Sequence, residues 1–353
     1  METSLNKSVN FFRCVGTVYE TAFKCESCEV QIWKDGQNTG KKVAAECIKG
    51  SFAVRAGEYG IITFGVYFAS KGLDGETSNQ WKMATDMLGL NPEVNGNGNS
   101  PTLVTVEGRI EGNLFVTRQG TVAEGTRFRV SKVSTNIKNG AKEGMAVKLT
   151  GCMTKIAPET KMVDGEAEET GRSVMTTYVA NNKGEVFPVS IIIPEDIVDD
   201  VNDAVENGCT VEADIDVNAV TFGTVTKKRA IGHATAVDTS NVSTRYEYIM
   251  AGMDTVDEPD ELYTEDEDGN QIEIKTNWMN PVAVKKAIKA YNLKKEQMEK
   301  NGGAPKKATK SISERKAEFN KSKRVGKPKE DFDGFDDDFA SSFGGNDDSD
   351  DFL

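Results

Sequence analysis

Two adjoining stretches, Glu46–Glu58 (ECIKGSFAVRAGE) and Ile61–Ala69 (IITFGVYFA), set how the rest of the chain is read. In the first, Ile48, Gly50, Phe52 and Val54 alternate with Lys49, Ser51, Ala53 and Arg55. In the second, Ile62, Phe64, Val66 and Phe68 alternate with Thr63, Gly65, Tyr67 and Ala69. Successive side chains of a strand point to opposite faces, so this alternation marks two half-buried β-strands. The faces opposite the apolar set mix a ring, Tyr67, with the cations Lys49 and Arg55. Bases stack on exposed rings while Lys and Arg meet phosphates, each stacked base being worth about 1–3 kcal/mol.

Upstream, residues 11–25 (FFRCVGTVYETAFKC) are β-branched and aromatic, with Gly16 placed where a strand can bend. Residues 27–33 (SCEVQIW) set Cys28, Val30 and Ile32 against Glu29, Gln31 and Trp33. Residues 34–42 (KDGQNTGKK) carry turn chemistry at Asp35-Gly36, rimmed by Lys34, Lys41 and Lys42. Downstream of Lys71, residues 78–88 (SNQWKMATDML) predict a helix with Trp81, Ala84 and Leu88 on its apolar side, stopped by GLNP. Residues 103–118 and 125–137 predict two more strands. Three strands, a helix and two strands is the order of a small Greek-key barrel of the OB type.

The order then repeats. Residues 145–156 predict a strand with Gly151 at its middle, 158–171 (PETKMVDGEAEETG) an acidic loop, and 172–194 a hairpin turning at Asn182-Lys183-Gly184. Residues 195–207 predict a helix stopping at Gly208, and 209–223 and 229–237 two strands. The expected fold class is therefore mainly β: two OB-type Greek-key barrels in tandem, over 8–138 and 143–240, each with one helix. Residues 246–276 carry eleven acids and one Lys and predict a solvated acidic connector with a small hairpin on Asp268-Gly269. Asn280-Pro281 then caps a helix with Val284, Ile288 and Tyr291 on one face. The connector and this helix make a unit over 246–300.

The end of the chain is a pair of opposite charges. Residues 301–329 hold ten Lys and Arg against two Glu, a basic arm expected to be disordered. Residues 330–353 (EDFDGFDDDFASSFGGNDDSDDFL) hold ten acids, no base and five Phe. Like charges repel and Gly and Ser add entropy, so this tail is expected not to fold alone. Its acid-flanked rings (Phe332, Phe335, Phe339, Phe343 and Phe352) read as docking anchors. The formal charge of −13 thus divides unevenly, residues 1–245 holding only −5, and a local basic groove remains open to the chain.

Other readings are weak or excluded. Cys14, Cys25, Cys28 and Cys47 are the one metal-like arrangement, but a zinc site usually has two close-spaced pairs and only Cys25-x-x-Cys28 is present. The single histidine, His233, cannot build a multi-His centre. There is no P-loop, G-x-S-x-G, Rossmann fingerprint or H-E-x-x-H, so no enzyme and no cofactor is expected. No run of 18 apolar residues and no charged-then-apolar leader occurs, so no membrane association is expected.

With the strand pattern CVGTVYE, EVQIW, ECIKGSFAVRAGE and ITFGVYFA, the WKMATDML helix, a second barrel-like unit and an acidic end closing on Phe352-Leu353, the chain resembles the single-stranded DNA-binding proteins, in particular those of bacteriophages. The resemblance implies sequence-independent binding and protection of single-stranded DNA in replication, recombination and repair, in the cytoplasm (that of the host if phage-encoded). On the ring-and-cation faces read above, Trp33, Tyr67 and Trp81 are the residues expected to stack on bases, and Lys34, Lys41, Lys42, Lys49, Arg55 and Lys71 those expected to meet the backbone. The resemblance further implies recruitment of replication or recombination proteins by Asp347, Asp348, Asp350, Asp351, Phe352 and Leu353. The bacterial members end in Ile-Pro-Phe and carry one barrel; this chain ends in Phe-Leu and predicts two, so it can work as a monomer. A single-stranded RNA-binding protein and a docking scaffold are the alternatives.

Overall fold

In a computed structural model, residues 5, 8–34, 37–117, 120–137, 141–163, 166–181, 183–228, 237–260, 263–265, 271–273 and 276–302 are described. The basic arm from 303 on, the acidic tail and His233 lie outside them. The fold is mainly β: a ten-stranded sheet, a two-stranded sheet and few helices. Contacts divide the chain into two units, Met1–Gly112 with Thr126–Tyr291, and Asn113–Gly125 with Asn292–Leu353.

The strands of the first half are β1 (Asn10–Lys34), β2 (Gln37–Arg55), β3 (Ile61–Ala69), β4 (Leu103–Val116) and β5 (Val122–Ser134), with helix α1 (Trp81–Met87) after β3. β1 pairs antiparallel with β4 over Phe12–Thr17 and with β2 from Thr17 onward. β2 pairs with β3, β3 runs parallel to β5 at Gly65↔Arg129, and β5 neighbours β4. The pairings therefore run β1-β2-β3-β5-β4 and return to β1. Gly16 sits at the hand-over, where a Cβ would lie 2.1 Å from the Arg55 carbonyl oxygen. Only glycine lets β1 approach both neighbours there.

The second half repeats this with β6 (Gly144–Val163), β7 (Glu166–Ala180), β8 (Val186–Ile193), β9 (Thr210–Lys228) and β10 (Val237–Val256). A short 3₁₀ turn, Glu195–Ile197, and helix α2 (Val198–Ala204) follow β8. The pairings run β6-β7-β8-β10-β9 and return to β6, with β8 and β10 parallel. Gly151 occupies the place of Gly16: a Cβ there would lie 2.3 Å from Thr177 Cγ2. β1 and β6 pair antiparallel over Asn10–Val15, which joins both circuits into one sheet.

The alternation read from residues 46–69 buries as expected, with Ile48, Phe52, Val54, Ile62, Phe64 and Phe68 all in the core. Phe12, Phe52, Phe64 and Phe128 form a ring cluster with centroids 5.4–5.8 Å apart. Each such ring contributes about 1.5–3 kcal/mol by leaving water. The two circuits interlock through β10: Tyr248 lies 2.6 Å hydroxyl to hydroxyl from Thr126, and the Thr63 N–H donates to the Tyr246 hydroxyl.

Several expectations are corrected. Residues 158–163 and 166–171 are not loop but the paired ends of β6 and β7, where Thr160↔Glu169 and Lys161↔Glu168 set opposite or polar groups across the ribbon. Residues 246–256 belong to β10 rather than to a solvated connector: Tyr248 and Met250 are buried, while Glu247 and Asp254 fall between inward positions. The apolar side of α1 is Ala84 and Met87, and Leu88 is exposed. Residues 229–236 lie outside the described residues. The small acidic hairpin exists as β11 (Tyr263–Glu265) paired with β12 (Gln271–Glu273). Helix α3 (Pro281–Gly302) starts as read, the Asn280 side chain accepting from the Val282 and Ala283 N–H groups. Its Val284 is buried against Met279, Cys152 and Val186. In the second unit, Lys295 of α3 pairs with Glu124 at 3.0 Å.

Candidate nucleic-acid interface

With Ile48, Phe52 and Val54 of β2 and Ile62, Phe64, Val66 and Phe68 of β3 buried, Lys49, Ser51, Thr63 and Tyr67 fall on the opposite face. Register places Lys24 of β1 opposite Lys49 of β2, and Lys49 opposite Tyr67 of β3. A row of two cations and a ring thus crosses three strands. Tyr67 is 46% exposed, a large apolar area for a sheet face. The next row is Ala22, Ser51 and Gly65, so the β3 position beside the ring carries no side chain. Lys49 pairs with Glu26 at 2.7 Å, with both partners partly exposed. Such pairs are worth about 0–1 kcal/mol and exchange readily for another anion.

The other residues named from sequence are spread more widely. Lys34, Lys41 and Lys42 lie exposed where β1 and β2 extend past the reach of β3, and Lys42 pairs with Glu29 at 3.1 Å. Arg55 is held at both ends of its fork by Glu93, each contact 3.0 Å, and lies over the Tyr19 ring at 4.9 Å. That arrangement ties β2 to the loop after α1, a structural use. Lys71 forms an isolated bridge with Thr77 and is half-buried. Trp33 follows a bulge, which takes it out of the alternation, and its main-chain N–H donates to the Leu73 carbonyl; the side chain is half-buried. Trp81 packs against the main core from α1. Of the three rings proposed for stacking, Tyr67 is the exposed one.

Sequence reading missed the outer faces of β4 and β5. Arg109, Arg127 and Arg129 converge on Glu111 at 3.0, 3.0 and 3.6 Å. Glu107 beside them takes Lys132 at 3.1 Å and Arg13 at 3.9 Å. The signal was present in GTRFRVSK, where Arg127 and Arg129 alternate with the buried Phe128 and Val130. Burial pushes the Glu111 carboxyl up, but the charges of Arg129, Arg109 and Arg127 outweigh it and hold the group below the usual carboxylate range. A depressed carboxyl stabilises the fold above its unfolded pKa, and that contribution is lost as pH falls through the folded value. The melting temperature should therefore drop on acidification below about pH 4.3, the unperturbed Glu value. Glu111→Gln should lower stability by about 1–3 kcal/mol at neutral pH and flatten that part of the profile. A variant that keeps the full acid dependence would place its origin elsewhere.

The four cysteines do not form one cluster: only Cys28 and Cys47 meet. Cys14 is inside the core, its thiol pushed up to about 12 by burial, whereas Cys25 is exposed. Cys47 is pushed up to about 11 by burial and by its hydrogen bond with Cys28. A zinc ligand must be a thiolate, and these environments oppose ionisation. No group of three or more residues that could hold a metal ion occurs among the described residues. No helix among them is long and apolar enough to cross a membrane. Asp347, Asp348, Asp350, Asp351, Phe352 and Leu353 lie outside the described residues.

The class defined by these observations is a mainly β protein built on one large sheet with few helices. A family model described as YorF matches residues 21–282, and the chain belongs to the YorF family. No curated protein sequence matches the chain. Among solved structures it is similar to a deletion mutant of the single-stranded DNA binding protein from Thermus aquaticus, at 11% identity, covering 72% of this chain and 98% of that one, with a TM-score of 0.36.

Proposed function

We propose that this chain is a non-enzymatic, cofactor-free protein that binds single-stranded DNA without sequence preference, on two OB-type barrels in tandem. The barrel reading is supported by the two returning circuits of pairings, each with its third and fifth strands parallel and a helix after the third strand. The observation that carries the function is the Lys24–Lys49–Tyr67 row: an exposed ring between strands, with cations in register beside it. Such a surface stacks a base and holds its phosphates while reading no base edge. The acidic tail, through its aspartates and Phe352-Leu353, recruits replication or recombination proteins and competes with DNA for basic surface. The protein acts in the cytoplasm, the host's if a phage encodes it, and two barrels in one chain let it work as a monomer.

Titration with oligo-dT across a salt series tests this. The parent should bind with an affinity that falls steeply with salt. Tyr67→Ala should weaken binding by about 1–3 kcal/mol, with an unchanged melting temperature because the ring is already exposed. No binding of oligo-dT at low salt would remove the DNA reading and leave a docking scaffold. Preference for oligo-U over oligo-dT in competition would make the ligand RNA, whose 2′-hydroxyl is the distinguishing group.

A further inference from the structure

The outer faces of β4, β5 and the start of β1 carry five cations, Arg13, Arg109, Arg127, Arg129 and Lys132, around two carboxylates, Glu107 and Glu111. The surplus is +3 on three neighbouring strands, within a stretch, residues 1–245, whose own sum is −5. One guanidinium is enough to neutralise one carboxylate, and a third adds repulsion among like charges. Glu111 is 17% exposed, while Arg127 and Arg129 remain 44% and 42% exposed. The carboxylate therefore lies beneath, and the two guanidiniums reach past it to solvent. Held this way, their forks lose little rotamer freedom when they meet a second anion.

The position of this cluster matters as much as its charge. Arg129 lies directly opposite Gly65 in the parallel β3–β5 pair, and Gly65 is two residues from Tyr67 on the same face. Glycine leaves no side chain between the exposed ring and the arginines. The surface is continuous from Lys24, Lys49 and Tyr67 over Gly65 to Arg129, Arg127 and Arg109. Arginine at such positions fits oxyanions with paired acceptor oxygens, which a phosphodiester offers at every nucleotide.

We infer that the arginine cluster on β4 and β5 is a second phosphodiester-binding surface, which takes the backbone of a single strand after it leaves Tyr67. The inference rests on the proposed single-stranded DNA binding and extends it past β3. It makes the occluded length longer than the Lys24–Lys49–Tyr67 row alone would set, and it divides the ligand contacts into a stacking part and a purely electrostatic part.

The test is the full chain carrying Arg127→Gln and Arg129→Gln, titrated with a short oligo-dT and with one several times longer, each across a salt series. Two lost phosphate contacts on a single strand should lower the salt slope for the long oligonucleotide by about 1.4, and its affinity by about tenfold near physiological salt. Affinity for the short one, which the Tyr67 row satisfies, should stay within about twofold. Arg127→Lys with Arg129→Lys should keep the parent slope, since the charge is retained. If the double glutamine variant melts lower than the parent, the single variants are read instead, each with a slope lowered by about 0.7. An unchanged slope with the long oligonucleotide, while the parent binds and Tyr67→Ala weakens binding, overturns this inference alone. A double variant that binds DNA more tightly than the parent also overturns it, because the surface then holds the chain's own acidic tail. A parent that binds no oligo-dT overturns both readings together.

Discussion

Gly16→Ala is expected to destabilise the protein by at least about 3 kcal/mol, because the added methyl has no room and its obstacle is main chain. The Cβ would stand 2.1 Å from the Arg55 carbonyl oxygen and 2.9 Å from Val54 Cγ1. To accept it, β1 and β2 must separate at Thr17↔Arg55 and Val18↔Val54, where β1 passes from one neighbour to the other. Gly151→Ala tests the same position in the second circuit with a different obstacle. There the first contact is the Thr177 side chain at 2.3 Å, with the Tyr178 carbonyl oxygen at 2.9 Å. Thr177 is buried, and its hydroxyl has no hydrogen-bond partner among the described residues. Thr177→Ala should therefore recover part of the loss in Gly151→Ala, while no single side-chain change should recover Gly16→Ala. Thermal unfolding reads both, with an expected fall of roughly 2–4 °C per kcal/mol for a unit of this size. A Gly16→Ala protein that melts with the parent would mean that β1 does not pass so close to β2, and the first circuit of pairings would be open.

The strands were legible where burial on one face left a two-residue period, as in residues 46–69 and again around Gly151. They were illegible where charge hid that period. Residues 246–256 look like connector in the sequence because the acids of 257–268 dominate the wider window, although Tyr248 and Met250 alternate inward and Glu247 between them is held by Arg245. The acidic ends of β6 and β7 failed for a related reason: a two-stranded ribbon with neither face buried carries no apolar signal, only register. The exposed ring at Tyr67 followed from alternation alone. The partial burial of Trp33 did not, because a bulge takes it out of the alternation and its main chain is tied to Leu73, forty residues on. Arg127 and Arg129 were as legible as Lys49, since both sequences alternate cation with buried residue. Their convergence on Glu111 was not, because β4 and β5 meet only in the fold.

Deleting residues 330–353 is expected to tighten single-stranded DNA binding by about tenfold at low salt. The tail carries ten acids and no base, and it follows an arm with ten Lys and Arg against two Glu. A tail joined to the same chain by a polar segment is expected to compete for the basic rows at an effective concentration on the order of millimolar. If the free tail bound those rows with a dissociation constant of about 0.1 mM, DNA affinity in the parent would be reduced about tenfold. Both polyanions are screened by salt, so the difference between parent and truncated protein should shrink as salt rises. Changing only Phe352 and Leu353 to Ala separates the two proposed uses of the tail. The charge is intact, so DNA affinity should stay near that of the parent, while retention of replication or recombination proteins should be lost with the apolar anchor. Equal DNA affinity of parent and truncated protein at low salt would end the competition model. Retention of partners by both the truncated and the Phe352/Leu353 variants would leave the tail with solubility alone.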